Sequence, residues 1–445
     1  MKKVSRWVPV LLAATVVAAL SGCSGSAGDS SQTGAGAADS AVKSTEPVKL
    51  TVYQHSANIT DEEFAQIVSE PVKKKYPNIT MELIHTSKDN SPETLVANGT
   101  LPDMIYGSQA SEIVFSDLSA VIDLTDLIKK NRMDLSRFDP AAISQIQMRS
   151  PQGQTLAIPL IINFSALYYN KDLFDKFAVP YPKDGLTWED LPEIASKLTQ
   201  NVGGVQYTGW GLDGGFLRIG AQLSLTTVDP KTNKATLATD GWKRLYGVMK
   251  PLYDIPGFNP KEVAKDAFIR DQTKAMIVSQ GARVGEIDAL FNQGKQLNWG
   301  MATLPSFKEA MGKAYYPDLG MFMITSATKH KEEAFNVISL LTTDEAQIEM
   351  GKSGRLGSLK DPKTREKFGQ DVKALKGVNL KPMVNFKPTP EPSFSRYSDL
   401  AGKQVNPAFN KALAGTVDIN TALREAEDLA NKDIAAEMEA NGGKK

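Results

Sequence analysis

Residues 156–169 read Leu156-Ala157-Ile158-Pro159-Leu160-Ile161-Ile162-Asn163-Phe164-Ser165-Ala166-Leu167-Tyr168-Tyr169. This is an almost continuous apolar run, interrupted by Pro159 and Asn163, and it is too long for one ordinary strand of about five or six residues. On its N-terminal side, Val48, Leu50 and Val52 alternate with polar residues and end at Tyr53-Gln54-His55, the pattern of a half-buried strand. Thr60 and Glu63 have capping-box spacing, and Phe64, Ile67, Val68 and Val72 then recur at helical spacing up to a kink or stop at Pro71. Ile79–Ile84 and Asp103–Tyr106 read as further strands. Strand–helix–strand–helix order implies right-handed crossovers and a mainly parallel sheet. Ligands of such sheets bind beyond the carboxyl ends of the strands, here Tyr53-Gln54-His55 and Tyr106-Gly107-Ser108.

On the C-terminal side, Trp188–Leu198 and Asp240–Tyr253 have helical patterns, and Asp229–Asn233 reads as a hairpin turn. Ala275–Val278, Trp299–Leu304 and Leu319–Thr325 are short buried strands, the last leading into a helix over Lys331–Leu341. A final helix from about Ile419 to Glu439 puts Leu423, Ala426, Ala430 and Ile434 on one stripe. Trp242 and Trp299 read as core.

The whole chain has 445 residues, 41% hydrophobic and 23% charged, with 51 basic residues against 51 acidic. That length implies two domains or more, and the balanced charge excludes a broadly basic nucleic-acid binder. One cysteine excludes an internal disulfide, and with three histidines it leaves little for a His/Cys zinc cluster; neither metal nor cofactor is expected. Residues 1–22 carry Lys2, Lys3 and Arg6 before an apolar run from Val8 to Leu20, too short to span a bilayer and typical of a signal peptide. Cys23 follows Leu20-Ser21-Gly22 directly, a spacing that resembles the bacterial lipobox, whose cysteine carries lipid. Cleavage there leaves 48 basic against 51 acidic residues. Residues 24–45 are nearly all small or polar and predict a flexible tether of roughly 25 Å, so 23–46 are the lipidated cysteine and its tether.

The order of several motifs resembles the family 1 extracellular solute-binding proteins, the receptors of ABC importers. The motifs are Leu101-Pro102-Asp103-Met104-Ile105-Tyr106, Ile158-Pro159 through Tyr169-Asn170-Lys171-Asp172-Leu173-Phe174, Leu304-Pro305-Ser306-Phe307, and Lys329-His330-Lys331-Glu332-Glu333-Ala334-Phe335. Leu340-Leu341-Thr342-Thr343-Asp344-Glu345-Ala346 follows the last of them. The resemblance implies a two-lobed α/β clamp of periplasmic-binding-protein type, with mainly parallel sheets and hinge crossovers near Asn163, near Leu304 and beyond about Lys376. Residues 47–163 and 305–375 would form lobe 1, and residues 164–304 and 376–445 lobe 2. It further implies a monomeric receptor, lipid-anchored on the outer face of the cell membrane. Such a receptor closes on a small solute, expected to be a sugar or oligosaccharide and possibly acidic, and hands it to the transmembrane subunits of a permease. It would do no chemistry and bind no nucleic acid.

The resemblance also nominates ligand contacts. Asn163 falls at the first crossing, with a satisfied buried amide as the alternative. Tyr53, Gln54 and His55 follow the first strand, and His55 also reads as a solvated loop histidine. Tyr106 and Ser108 follow the third strand, and Gly107 stands where maltose-binding members hold an aromatic platform. Gly209-Trp210-Gly211-Leu212-Asp213-Gly214 is formally G-x-G-x-x-G, but it lies mid-chain in an exported protein and is no dinucleotide fingerprint. Its glycines would instead let backbone approach the cleft, with Trp210 or Phe216 stacking on ligand and Asp213 accepting hydroxyl hydrogen bonds. Trp210 as plain core is the alternative. Ser279, Gln280 and Arg283 follow another strand; Arg283 either recognises an acidic or strongly hydrogen-bonding group or pairs with Glu286. Tyr397 lies where the family supplies a late aromatic. An exported lipoprotein glycoside hydrolase is the rival class, because carboxylate pairs for that chemistry are set by space and not by spacing. A receptor for a polyol or phosphorylated ligand is another.

Overall fold

The computed structural model describes residues 46–150 and 152–440; the signal-peptide, Cys23 and tether expectations lie outside the described residues. Among the described residues there are twelve strands: β1 (Val48–His55), β2 (Ile79–His85), β3 (Met104–Gly107), β4 (Ile158–Asn163), β5 (Ser165–Asn170), β6 (Gln200–Val202), β7 (Val205–Tyr207), β8 (Val228–Asp229), β9 (Lys234–Ala235), β10 (Met276–Gln280), β11 (Trp299–Thr303) and β12 (Asp318–Ile324). The principal sheets are a five-stranded one ordered β2-β1-β3-β12-β4 and a three-stranded one ordered β10-β5-β11. Each is the centre of one lobe of a two-lobed α/β fold.

The apolar run over residues 156–169 resolves into β4 and β5, separated by Phe164 alone. β4 belongs to the first sheet and β5 to the second, so the chain changes lobes within one residue. Nearly every side chain in it is then buried on one sheet or the other, which explains why the stretch is almost continuously apolar.

In the five-stranded sheet β1 runs parallel to β2 and β3, while β12 is antiparallel to β3 and β4. The three-stranded sheet departs from the mainly parallel expectation: β5 is antiparallel to both β10 and β11. An extended segment through Thr208 and Leu212 lies parallel to β10 on its far side and covers that edge.

Strict alternation splits the core. Val48, Leu50, Val52, Met104, Tyr106, Phe322 and Ile324 pack on one face of the first sheet with Phe64, Val68 and Phe335. Tyr53, Ile105, Met321 and Met323 point to the other, in a cluster that continues into the second lobe. Each such apolar side chain, fully buried, contributes roughly 1.5–3 kcal/mol.

Pro71 does not end its helix. A π-helical stretch, Ala65–Ser69, precedes it, and the helix continues through Pro71 to Lys75. The wider turn accommodates the missing N–H. Thr60 and Glu63 form the expected reciprocal cap, and the last helix, Ile419–Ala440, buries Leu423, Ala426, Ala430 and Ile434 as its spacing required.

The connection from β11 to β12 stays with the second sheet beyond Leu304. Trp188 donates its backbone N–H to Ser306 O (2.9 Å), and Thr187 bridges Ser306. Tyr315 is buried in the same cluster, and the chain enters the first sheet only at Asp318. The third passage is distributed. Ala374 O accepts from Trp299 Nε1 at 3.1 Å on the second lobe. Glu391 bonds Arg149 of the first, and Ser398 O accepts from Thr227 back on the second.

Candidate functional site: a polar cleft between the two sheets

A cavity of about 340 Å³ lies between the lobes. The first lobe contributes Ser56 and Ser108, just past the ends of β1 and β3, together with Gln109, Gln145 and Arg149. The second contributes Leu217, Arg218 and Ala221 from the helix Phe216–Gln222, with Thr226 and Thr227. The connecting segments close it with Tyr315, Tyr316, Pro317, Asp318, Glu391 and Ser393.

Most of its charged and amide side chains fall into two hydrogen-bonded groups, joined through the backbone at Pro317 and Leu319. Gln109 Nε2 donates to Gln145 Oε1 at 2.8 Å and to Pro317 O, and Gln145 Nε2 donates to Glu391 Oε2 at 3.0 Å. Arg149 donates to both oxygens of Glu391, at 2.9 and 3.1 Å, and its guanidinium lies 4.2 Å from the Phe394 ring centre. Both members of this ion pair are more than nine-tenths buried. Asp318 Oδ2 accepts from Arg218 at 3.1 Å and from Gln280 Nε2 at 2.6 Å, joining the start of β12 to the second lobe. Outside the lining, Arg396 donates to Asp117 Oδ2 at 2.7 Å.

Behind Arg149 sits Glu112, fully buried, with both carboxylate oxygens lacking a partner. Burial raises its pKa from 4.5 to about 8, with the Arg149 charge opposing. The buried Tyr315 hydroxyl also lacks a partner, although its ring lines the cavity.

The sequence candidates divide sharply. Ser108 lines the cavity directly and Gln280 is bonded to the lining residue Asp318. Asn163, partly exposed, pairs in register with Asp318 at the cavity's edge. Asp213, Ser279 and Arg283 form a separate cluster: Ser279 Oγ donates to Asp213 Oδ2 at 2.5 Å, and Arg283 Nε lies 3.1 Å from the same oxygen. Arg283 also pairs with Glu286, as the local alternative held.

The aromatic candidates are core. Trp210 is 1% exposed, stacks on Phe258 and donates Nε1–H to Leu252 O at 3.0 Å. Phe216 stacks on Phe409 with ring centres 4.6 Å apart. Tyr53 is buried with its hydroxyl on Asn90 O, and Tyr106 packs on Phe322 with its hydroxyl pushed up to about 12 by burial. Tyr397 is 2% exposed with an unpartnered hydroxyl. All five carry large apolar surfaces that the fold buries, so none presents a face to the cleft. His55 is half-buried; its Nδ1 lies 2.9 Å from Ser111 Oγ, and desolvation holds its pKa below the ordinary value. Gln54 donates to Ala57 O and meets the His85 ring.

The glycines have reasons other than a ligand. A Cβ on Gly209 would collide with the Ala195 backbone, and one on Gly211 would come within 2.8 Å of Ala264. At Gly107 a Cβ would meet Ser111 at 2.5 Å, so no aromatic platform fits there.

Gln109, Gln145, Arg149, Arg218, Tyr316, Asp318 and Glu391 were missed. Two signals were available: Gln109 follows the third strand's end directly, and Pro388-Thr389-Pro390-Glu391-Pro392 resists helix and so reads as a passage between elements.

A profile of the bacterial extracellular solute-binding protein family matches residues 56–348. The sn-glycerol-3-phosphate-binding periplasmic protein UgpB of Brucella melitensis is 23% identical over 397 residues, covering 80% of this chain and 86% of that protein. An ABC substrate-binding protein of Listeria monocytogenes, solved in complex with cycloalternan, aligns with a TM-score of 0.67 at 20% identity, over 88% of this chain and all of the other. The GacH receptor of Streptomyces glaucescens, solved unliganded and with acarbose, aligns at 0.66 and 18% identity, over 88% of this chain and 99% of its own.

Proposed function

Because this chain belongs to the bacterial extracellular solute-binding protein family, we propose that it is the lipid-anchored receptor of an ABC importer that captures a carbohydrate in the cleft between its lobes. The observation that carries this reading is the cavity itself: both lobes and the segments connecting them line it with hydroxyls, amides and paired charges. Such a surface offers donors and acceptors to many hydroxyl groups at once. A bound solute touches both walls only when the lobes approach, so it favours the closed form, and the closed form docks on the permease. The Listeria and Streptomyces proteins, solved with cycloalternan and with acarbose, support a saccharide.

In this reading Ser108, Gln109, Arg149, Arg218, Tyr316, Asp318 and Glu391 contact ligand, and Asn163 and Gln280 position the wall beside it. The lobes are residues 47–163 with 318–372, and 164–316 with most of the remainder; the segment near 384–394 returns to the first. The protein acts as a monomer without chemistry of its own. Lipid on Cys23 holds it at the outer face of the membrane.

Calorimetric titration and thermal unfolding of the purified protein against a panel of neutral oligosaccharides test the reading. A saccharide at about 100 times its Kd stabilises the fold by about 2.7 kcal/mol. The same incubations are examined for cleavage: saturable binding without products supports a receptor, and released sugars mean a hydrolase. Cys23→Ser should move the protein from the membrane fraction to the soluble one; unchanged partition would remove the anchor.

A further inference from the structure

Resting on the carbohydrate reading above, we infer that the cleft is selective for uncharged saccharides and excludes phosphorylated and uronate ligands. The inference comes from the pairing of charge around the cavity. Arginine is the only cation among the described residues that line it, at Arg149 and Arg218. Arg149 is held by both oxygens of Glu391, and Arg218 by Asp318. Asp399 also lines the cavity, is exposed and pairs with no cation among the described residues. Three carboxylates therefore face two guanidinium groups.

A phosphate brings about −1.5 to −2 charges and needs free donors. The guanidinium hydrogens left over from these pairs belong to arginines whose charge is already neutralised, so a phosphate reaching them gains no net ion pair. To gain one, Arg149 would have to leave Glu391, stranding a carboxylate that is more than nine-tenths buried. Arg218 is less buried, yet its release would put a ligand anion against Asp318 and near Asp399. A neutral saccharide meets no such opposition. Its hydroxyls can donate to the free lone pairs of Asp318 and Glu391 and accept from the remaining guanidinium hydrogens, leaving both pairs intact. The UgpB relative of Brucella, whose name specifies sn-glycerol 3-phosphate, would then differ from this chain in the charge of its solute.

The test has two arms on the purified full chain. Neutral oligosaccharides, maltotriose among them, form the first, and failure of every one to bind counts against the carbohydrate reading alone. Inorganic phosphate, sn-glycerol 3-phosphate and galacturonate form the second, titrated calorimetrically into wild type and Asp318→Asn, which frees Arg218 while keeping an acceptor for Gln280. Glu391→Gln serves as a second variant should the first not fold. Wild type is expected to refuse all three anions, and the variant to gain at least about tenfold in affinity for one of them. Anion binding by wild type that Arg218→Gln abolishes would overturn the inference. Equal refusal by wild type and both variants would overturn it too, because freeing the arginine would then have released no anion site.

Discussion

Replacing Glu112 by glutamine should change how the stability of the protein responds to pH. The carboxyl is fully buried without a partner and holds its proton up to about pH 8, against an ordinary 4.5. Between those values the folded chain keeps a proton that the unfolded chain releases, so unfolding is favoured as pH rises. The slope is about 1.36 kcal/mol per pH unit, and the full displacement corresponds to roughly 5 kcal/mol. The stabilisation from the protonated carboxyl is whole below about pH 4.5, declines across the interval and is gone above about pH 8. Glu112→Gln keeps the shape and cannot ionise, so it removes this dependence. Urea unfolding of both proteins at several values between about pH 5 and 9 isolates the difference, because all other titrations are shared. The variant's advantage should grow steadily with pH and then level off. Parallel pH profiles would refute the reasoning, for they would mean that Glu112 is ionised in the folded protein or solvated through a path to the cleft.

Three more substitutions separate core from site. Trp210→Ala should cost about 3–5 kcal/mol in denaturant unfolding, since it empties a fully buried indole site, while saccharide affinity at saturating fold stays within about twofold. Arg283→Gln should leave affinity unchanged in calorimetry, because its partners Asp213 and Glu286 lie apart from the cavity lining; a tenfold loss would return Arg283 to the site. Arg396→Gln removes a partly exposed pair between Asp117 and the connecting segment past Glu391. Worth at most about 1 kcal/mol, it should shift the closed population, read by paired fluorescent labels, by no more than about fivefold, and less at high salt.

What could be read from the sequence was whatever is local. Alternation identified β1, and spacing fixed both the cap at Thr60 and the stripe along Ile419–Ala440, because those patterns depend on neighbours within two to four positions. The excessive length of the 156–169 run marked it as more than one strand, whereas the change of lobe near Asn163 came from the family resemblance. The cleft was poorly legible because its partners are remote: Gln109 meets Pro317 across 208 positions, and Arg149 meets Glu391 across 242. No spacing rule reaches that far. The aromatic candidates failed for a different reason. An indole or phenyl ring that could stack on a sugar is equally suited to a core: Trp210 packs on Tyr253 and Phe258, Phe216 packs on Tyr253 and Phe409, and Tyr397 is buried in the same cluster. Residue type could not decide between those uses; only the packing could.

The same remoteness gives the cleft its mechanical role. Gln109 ties the first lobe to the entry of β12 by donating to Pro317 O and accepting from the Leu319 N–H at 3.3 Å. Thr389 N–H bonds Tyr315 O at 3.0 Å, linking two of the three connections between lobes, and Asp318 gathers Arg218 and Gln280 from the second lobe. The groups proposed to meet a solute are therefore fixed to the segments that connect the lobes. Hydroxyls that bridge Arg149–Glu391 and Arg218–Asp318 would draw on donors already oriented by their carboxylates, so little ordering cost is added on binding. Pairing every guanidinium in advance thus serves two ends: it keeps a cleft of this polarity from trapping anions, and it holds the donors where approach of the two walls can use them.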